Sequence, residues 1–375
     1  MECRWLRERG EFDALAEEWD ALLRQSAFQS PYLSHAWLGA WQEHLGSGSL
    51  AILALERRRT LAGAAPCVQR RWLGFRLLEG MGIRGASVDG ADLLLPRGRE
   101  AECLALLLDA LLAHPREWDL LTLPGVRTSS AVWRALAHVP AELLTRFTWE
   151  FLPRAPTRAV PLDRPWGDYL AERGRLRRQC AYWERRWDQL AGGALRVAEG
   201  EAAVRVALPE CAAVEAESWK RRGGFCRFHG PRAAFTQSAL VRIAATGRCC
   251  ISLAYQDARP IAYLIAIAAG ERLAAFDTAH LAAYRPFMPG ITLLRTLLAR
   301  EMCGAHRWLD LGAGWEEYKR LWSPHVEISG TLTLARAGDV RSQLALHVWS
   351  LARQLGRSLR RWVRGRRLSP APPTG

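Results

Sequence analysis

Several things are missing from this chain of 375 residues, and each absence closes off a class of function. No apolar run approaches the roughly 20 residues needed to cross a bilayer. The opening MECRWLRERGEFDALAEEWDALL mixes acids with its apolar residues and does not read as a secretory leader. There is no C-x-x-C pair: the nine cysteines are odd in number and scattered from Cys3 to Cys303. That pattern argues against a disulfide framework and predicts reduced thiols in a cytoplasmic protein. Cys226 and His229 have a ligand-like gap, but no second pair supports them, so no metal site is expected. Acid is missing altogether between Val340 and Leu368, where Arg341, Arg353, Arg357, Arg360, Arg361, Arg364, Arg366 and Arg367 hold eight of the fourteen excess positive charges. The body without this tail is about +6, unremarkable for its size.

What is present is the material of a folded protein. Hydrophobic residues make up 49% and charged residues 24%, which excludes disordered and fibrous classes for most of the length, and the length suits two domains. EFDALAEEWDALLRQ has the spacing of an amphipathic helix, and HAWLGAWQEHLG predicts a second one. Strands follow, joined by a polar turn at Arg57–Thr60, then a helix over 100–114 and the short strand WDLLTLPG. The second half repeats the order: a meander with turns at Gln256–Pro260 and Gly270–Arg272, a helix, then the strand RWLDLGAG. Trp118, Asp119 and Leu120 stand against Trp308, Asp310 and Leu311, a weak internal repeat that predicts two similar α/β domains in tandem. Four prolines in FLPRAPTRAVPLDRP (151–165) predict a connector between them, and SPAPPTG at the end has nothing with which to pack.

The stretch RPFMPGITLLRTLLAREMCG sets Pro289 and Gly290 against an apolar helical run. Proline presets the first helical angle and glycine adds no side chain, so the first amides stay open to a docking group. Those donors and the positive end of the helix dipole form an anion site, and a phosphate is the natural guest. Asp277, Asp310 and Tyr318 fall near the ends of the neighbouring strands and the next helix, where a cleft could collect them.

These residues carry a resemblance. Tyr284, Pro289, Gly290, Leu293, Leu294, Gly304, Asp310, Gly312, Gly314, Tyr318, Lys319 and Trp322 form a pattern that resembles the BioF-like acetyltransferase domain branch of the GNAT superfamily, including the CelD type associated with cellulose and exopolysaccharide synthesis. The resemblance covers roughly residues 165–325 and extends loosely to FQSPYLSHAWLGAWQEHLG. It implies an α/β (α+β) fold of two tandem GNAT-like domains, 1–155 and 156–335, each a mixed twisted sheet flanked by helices, with a basic helical tail over 336–375. Related peptidoglycan-bridge aminoacyl transferases share the tandem plan.

The resemblance further implies acyl transfer from acetyl-CoA to an amine or hydroxyl of a small-molecule or glycan-precursor acceptor. The pyrophosphate of coenzyme A would meet Met288, Pro289, Gly290, Ile291 and Thr292. One departure is that RPFMPG, with a single glycine, replaces the better-known loop of the superfamily. Acyl transfer needs a base for the acceptor and a proton for the leaving thiolate. Tyr318 is the expected proton donor, Asp277 or Asp310 the expected base or orienter, and Lys319 a group for an anionic acceptor. Trp219, His229, Arg178, Asp89 and Asp92 are the expected substrate contacts. The first half lacks the Pro-Gly helix start, so no cofactor site is expected there. Two rivals stand beside this reading. One is an aminoacyl transferase using charged tRNA, the only nucleic acid expected as a partner. The other is a non-catalytic protein whose tail, with Leu344, Val348, Leu351, Leu355, Leu359 and Val363 at three- and four-residue steps, contacts an anionic membrane.

Overall fold

The computed structural model of the protein describes residues 1–368, and the side chains of Arg222 and of 356–368 are outside that description. The first half runs β1 (Glu2–Leu6), α1 (Arg9–Asp13), α2 (Ala16–Gln25), α3 (His35–His44), β2 (Ser49–Leu50), β3 (Ile52–Arg57) and β4 (Thr60–Ala65). It continues with β5 (Cys67–Trp72), β6 (Phe75–Gly80), α4 (Glu100–Ala113), β7 (Leu120–Arg127), α5 (Ala131–Ala135) and α6 (Ala141–Leu144). Then come β8 (Phe147–Pro161), α7 (Trp166–Ala171), α8 (Gly174–Asp188), β9 (Gly193–Glu199), α9 (Glu201–Glu217), α10 (Trp219–Gly223) and α11 (Ala233–Ala245). The last stretch holds β10 (Cys249–Gln256), β11 (Arg259–Ala269), β12 (Arg272–His280), α12 (Pro289–Glu301), β13 (Trp308–Ala313), α13 (Glu317–Trp322), β14 (Val326–Arg336) and α14 (Val340–Leu368).

Eleven strands form one mixed sheet in the order β2-β5-β6-β7-β14-β8-β13-β12-β11-β10-β9, and β1, β3 and β4 form a smaller one. Two pairs in the large sheet are parallel, β6 with β7 and β12 with β13. Parallel neighbours need a crossover, and a helix supplies it each time: α4 in the first half and α12 in the second. The internal repeat is therefore physical: two tandem units, each a parallel pair bridged by a helix. The units also share a core, since Trp37 on α3 packs edge-on against Phe235 (4.9 Å) and Phe276 (5.5 Å) from the second unit.

The units exchange strands. β8 follows the first unit in sequence yet pairs with β13, and β14 follows the second yet pairs with β7. The segment 151–165, expected as a connector, is thus largely strand, and the division expected at 155/156 falls inside β8. Prolines argued against a strand because each lacks an amide for the ladder. β8 tolerates them because it pairs on one side only, with β14, until Thr157, where β13 joins its other edge.

The tail is helical, as expected. α14 starts where the Asp339 carboxylate accepts from the Arg341 amide and the Ser342 hydroxyl. Its first turns pack on the sheet, burying Ala345, Leu346 and Trp349 against Leu77, Leu120 and Ala335, with Trp349 edge-on to Trp72 at 4.9 Å. Residues 369–375, expected to lack packing, lie outside the described residues. No helix among the described residues is long and apolar enough to cross a membrane.

Asp89 and Asp92 sit where the first unit's parallel strands part. β6 and β7 pair over Leu77–Glu79 and Leu120–Thr122, and the segment around these two acids runs from the end of β7 to β4. The Gly90 amide donates to the Gly125 carbonyl at 2.8 Å, and Leu94 bridges Ala64. Asp92 is a buried helix cap, accepting from Leu93 N, Ala131 N and Val132 N at 2.8, 2.5 and 2.9 Å. Burial pushes its carboxyl up to about 7 while the three amides pull the other way. Replacing Asp92 by Ala removes the acceptor of the first two amides of α5 and leaves its N-cap Ser130 in place, and we expect a loss of roughly 1–2 kcal/mol, read as a lower urea midpoint at unchanged slope.

Candidate active site

β12 and β13 pair in parallel only at Arg272–Trp308, Leu273–Leu309 and Ala274–Asp310. Beyond Ala274, β12 continues to His280 on β11 alone, while β13 shifts register between Asp310 and Ala313 as it follows β8. The facing edges of the two strands are left without a ladder partner. Directly past the end of β12, Leu281 makes an isolated bridge with Ser218, the residue before α10.

α12 begins beside this opening. A Cβ on Gly290 would lie 3.7 Å from His280 Nδ1 and 3.9 Å from Thr278 Oγ1, ordinary contact distances. Its N-cap, Met288, is left-handed (φ 56°), no side chain caps the helix, and the first turn carries no acid. Thr292 N donates to Met288 O at 3.0 Å and Pro289 has no amide, so Gly290 and Ile291 carry the unclaimed donors of this turn. The equivalent helix of the first unit, α4, has Glu100 and Glu102 in its first turn, and those carboxylates already answer its dipole. The two units therefore differ in electrostatics where their topology is the same.

Strand alternation sorts the neighbouring side chains. Thr278 and His280 turn toward α12, while Asp277 turns toward α9 and α10. There Asp277 Oδ1 accepts from Lys220 Nζ (2.5 Å) and Arg227 Nε (2.9 Å), and Oδ2 from Tyr263 Oη (2.6 Å). Burial alone would raise the Asp277 carboxyl, but Lys220 and Arg227 bring it below the ordinary value and keep it ionised. Glu215, fully buried, accepts from Arg227 N and Phe228 N at 2.8 Å each and faces His229 Nδ1 at 3.2 Å. Arg227 also reaches the first unit, donating to the carbonyls of Ala86 (2.7 Å) and Ser87 (3.3 Å).

Asp310 is held in a second buried ionic group. Its Oδ1 accepts from the Gly312 amide at 2.8 Å and its Oδ2 pairs with Arg127, which is 1% exposed. Arg127 Nε reaches Asp89 at 3.2 Å, and Asp89 also takes the Ala313 amide. This group ties β7 to the register shift of β13. Lys319 is buried: Nζ lies 3.1 Å from the Ala313 carbonyl, 3.4 Å from that of Gly312 and 3.1 Å from Glu316. It closes the Gly312–Gly314 loop, in which both glycines have positive φ. Tyr318 is half-buried, and desolvation first, then Glu316, push its hydroxyl up to about 12.

The expected residues thus separate into groups. Met288, Gly290, Ile291 and Thr292 form one uncapped turn. Asp310 belongs to β13, and Tyr318 and Lys319 to α13. Asp277 and His229 share the Lys220–Arg227–Glu215 network. Trp219 is 52% exposed on α10 near Phe225 (rings 6.4 Å apart), and Arg178 is exposed on α8. Sequence reasoning missed His280, Lys220 and Arg227. His280 had no motif around it; burial and Arg285 hold its ring below the ordinary histidine value, so it is neutral near pH 7. Lys220 did leave a signal, since the chain has only two lysines, Lys220 and Lys319, and both are buried at this site.

Residues 174–320 match the family model described as "Acetyltransferase (GNAT) domain". Over that stretch the chain is similar to the GNAT acetyltransferases. No curated protein matches it. Among solved structures, FemX superposes with a TM-score of 0.62 at 12% identity over 89% of this chain and 97% of that one. A conserved protein of unknown function from Bacteroides thetaiotaomicron VPI-5482 gives 0.59 at 11%, over 89% and 100%. The C-terminal domain of a putative lysylphosphatidylglycerol synthetase from Agrobacterium fabrum gives 0.55 at 12%, over 91% and 96%. At such identities the likeness establishes the shared two-unit fold.

The Lys220–Asp277 pair generates a test. Lys220→Met leaves a buried carboxylate short of one cation, and we expect a loss of about 3–5 kcal/mol at neutral pH. The native Asp277 carboxyl is depressed, so its contribution is present above the ordinary carboxylate range and fades as pH falls below it. The deficit of the variant against the parent should therefore shrink in acid, measured by urea unfolding at several pH values.

Proposed function

We propose that the second unit is an acyl-CoA-dependent N-acyltransferase, passing an acyl group, acetyl in the simplest case, to an amine or hydroxyl of a small-molecule or glycan-precursor acceptor in envelope or polysaccharide synthesis. The observation that carries the reading is the start of α12. Glycine in a helix is less stable than alanine by about 0.5–1 kcal/mol. Nothing within the chain requires it here, since Gly290 has an ordinary negative φ and a Cβ would meet only van der Waals contacts. Its use makes sense if something from outside approaches the backbone closely.

The residues fit a diphosphate: two unclaimed amides, the positive end of a 13-residue helix, no acid in its first turn, and exposed Arg285 just before it. The acyl thioester would supply an activated carbonyl between the parted strands, whose unpaired backbone groups are available to bind an extended chain. His280, neutral and beside α12, takes the proton from the acceptor amine as it attacks. Tyr318, fully protonated near pH 7, returns a proton to the departing thiolate. Lys319 and the Arg127–Asp310 pair fix the Gly312–Gly314 loop that faces the reacting carbonyl. No covalent enzyme intermediate is needed.

A second reading replaces the thioester by an amino acid carried on tRNA. Supporting it are the net charge of +14 and the fold shared with a domain of a putative lysylphosphatidylglycerol synthetase, whose product carries an aminoacyl group. Salt-sensitive tRNA binding without any acetyl-CoA heat in calorimetry would favour it.

Gly290→Ala separates stability from binding. The variant should be as stable as the parent or up to about 1 kcal/mol more stable, while its acetyl-CoA affinity in calorimetry falls at least about tenfold. Gly290→Glu, whose carboxylate suits the helix dipole, should abolish binding without unfolding the protein. Loss of stability together with binding would remove the argument. Tyr318→Phe should lower kcat about 10²-fold with little change in KM. The rate of the parent should hold steady down to a pH below 6.5 and then fall as His280 protonates, a limb that His280→Gln should lack.

A further inference from the structure

The transfer chemistry leaves α14 without a role, and α14 presents two unlike faces. One is anchored to the sheet by Ala345, Leu346 and Trp349, with Arg353 Nη2 3.0 Å from Thr331 Oγ1 on the same side. The other carries Val340, Leu344, Leu351 and Leu355, exposed by 85, 54, 57 and 62%. At 3.6 residues per turn these four positions fall within an arc of about 60°, so they form one stripe rather than isolated apolar residues. The sequence continues the same spacing with Leu359 and Trp362.

Two occupants could cover such a stripe, a second copy of the chain or a lipid surface. Charge decides between them. No acid occurs after Asp339, while seven arginines lie between Arg353 and Arg367. Pairing two copies along this helix would bring two such clusters together without a counter-charge. An anionic bilayer supplies the counter-charge and the apolar medium in one partner. The helix is too charged to span, and an apolar stripe backed by arginines suits a helix lying in the headgroup plane.

We propose that α14 is an interfacial helix that seats the protein on an anionic bilayer, with the Val340–Leu355 stripe entering the acyl boundary and the distal arginines meeting the headgroups. The proposal stands independently of the transfer reaction. The test is sedimentation of the full chain with vesicles of phosphatidylcholine alone or mixed with phosphatidylglycerol, at physiological salt. The protein should pellet with the mixed vesicles only. Leu351→Glu/Leu355→Glu, at exposed positions, should melt like the parent and partition at least about tenfold more weakly. Two results overturn the proposal: no pelleting of the parent, or a double variant that pellets as the parent does, which reduces the tail to simple charge attraction. A concentration-dependent dimer abolished by the same double variant also overturns it, because a second copy then covers the stripe.

Discussion

The geometry of the candidate site depends on the brevity of one parallel pairing. β12 and β13 share three residue pairs and then part. Had the ladder continued, the backbone edges of both strands would be satisfied and α12 would begin against a closed sheet. Because it stops, Thr278 and His280 meet the first turn of α12, and Asp310 is placed to hold the amide two residues ahead of it. The first unit makes the same short pairing, then runs the Asp89–Leu94 segment from the end of β7 to β4 and places glutamates at the head of α4. One topology sets parted strands beside an acid-free helix start in one unit and beside an acid-headed helix in the other.

Buried ion pairs hold both of the parted strands, Arg127 on β13 and Lys220 with Arg227 on β12. Such pairs contribute little net stability compared with apolar packing, but losing one partner is costly, so they fix positions more than they strengthen the fold. Arg127 and Asp89 come from the first unit and grip β13, while Arg227 comes from the second and grips the Ala86–Ser87 backbone. The unit whose helix start carries glutamates thus helps to position the one whose helix start carries none.

Much of this was legible in the sequence, for physical reasons that can be named. The turns at Arg57–Thr60 and Gly270–Arg272 were legible because polar residues interrupt apolar runs, and α12 because proline, glycine and a helical stripe coincide. β8 was not, because a strand with one open edge tolerates prolines that a central strand would reject. The setting of Asp277 was hidden as well. Period-two alternation sends it away from α12, but only the three-dimensional position of α9 and α10 reveals Lys220 and Arg227 waiting on that side. Lys319 would pass for a solvated lysine paired with Glu316 in sequence; its burial comes from the carbonyls of its own loop, which leave no trace in residue identity.

The exchange of β8 and β14 has a consequence for how the molecule must be handled as a gene product. A break at the midpoint of the chain would leave each fragment holding a strand that completes the other's sheet. Neither fragment could bury its own edge, and both would be prone to sticking to neighbours along it. The interlock makes the two units one indivisible part, since neither can be removed without stripping a strand from the other.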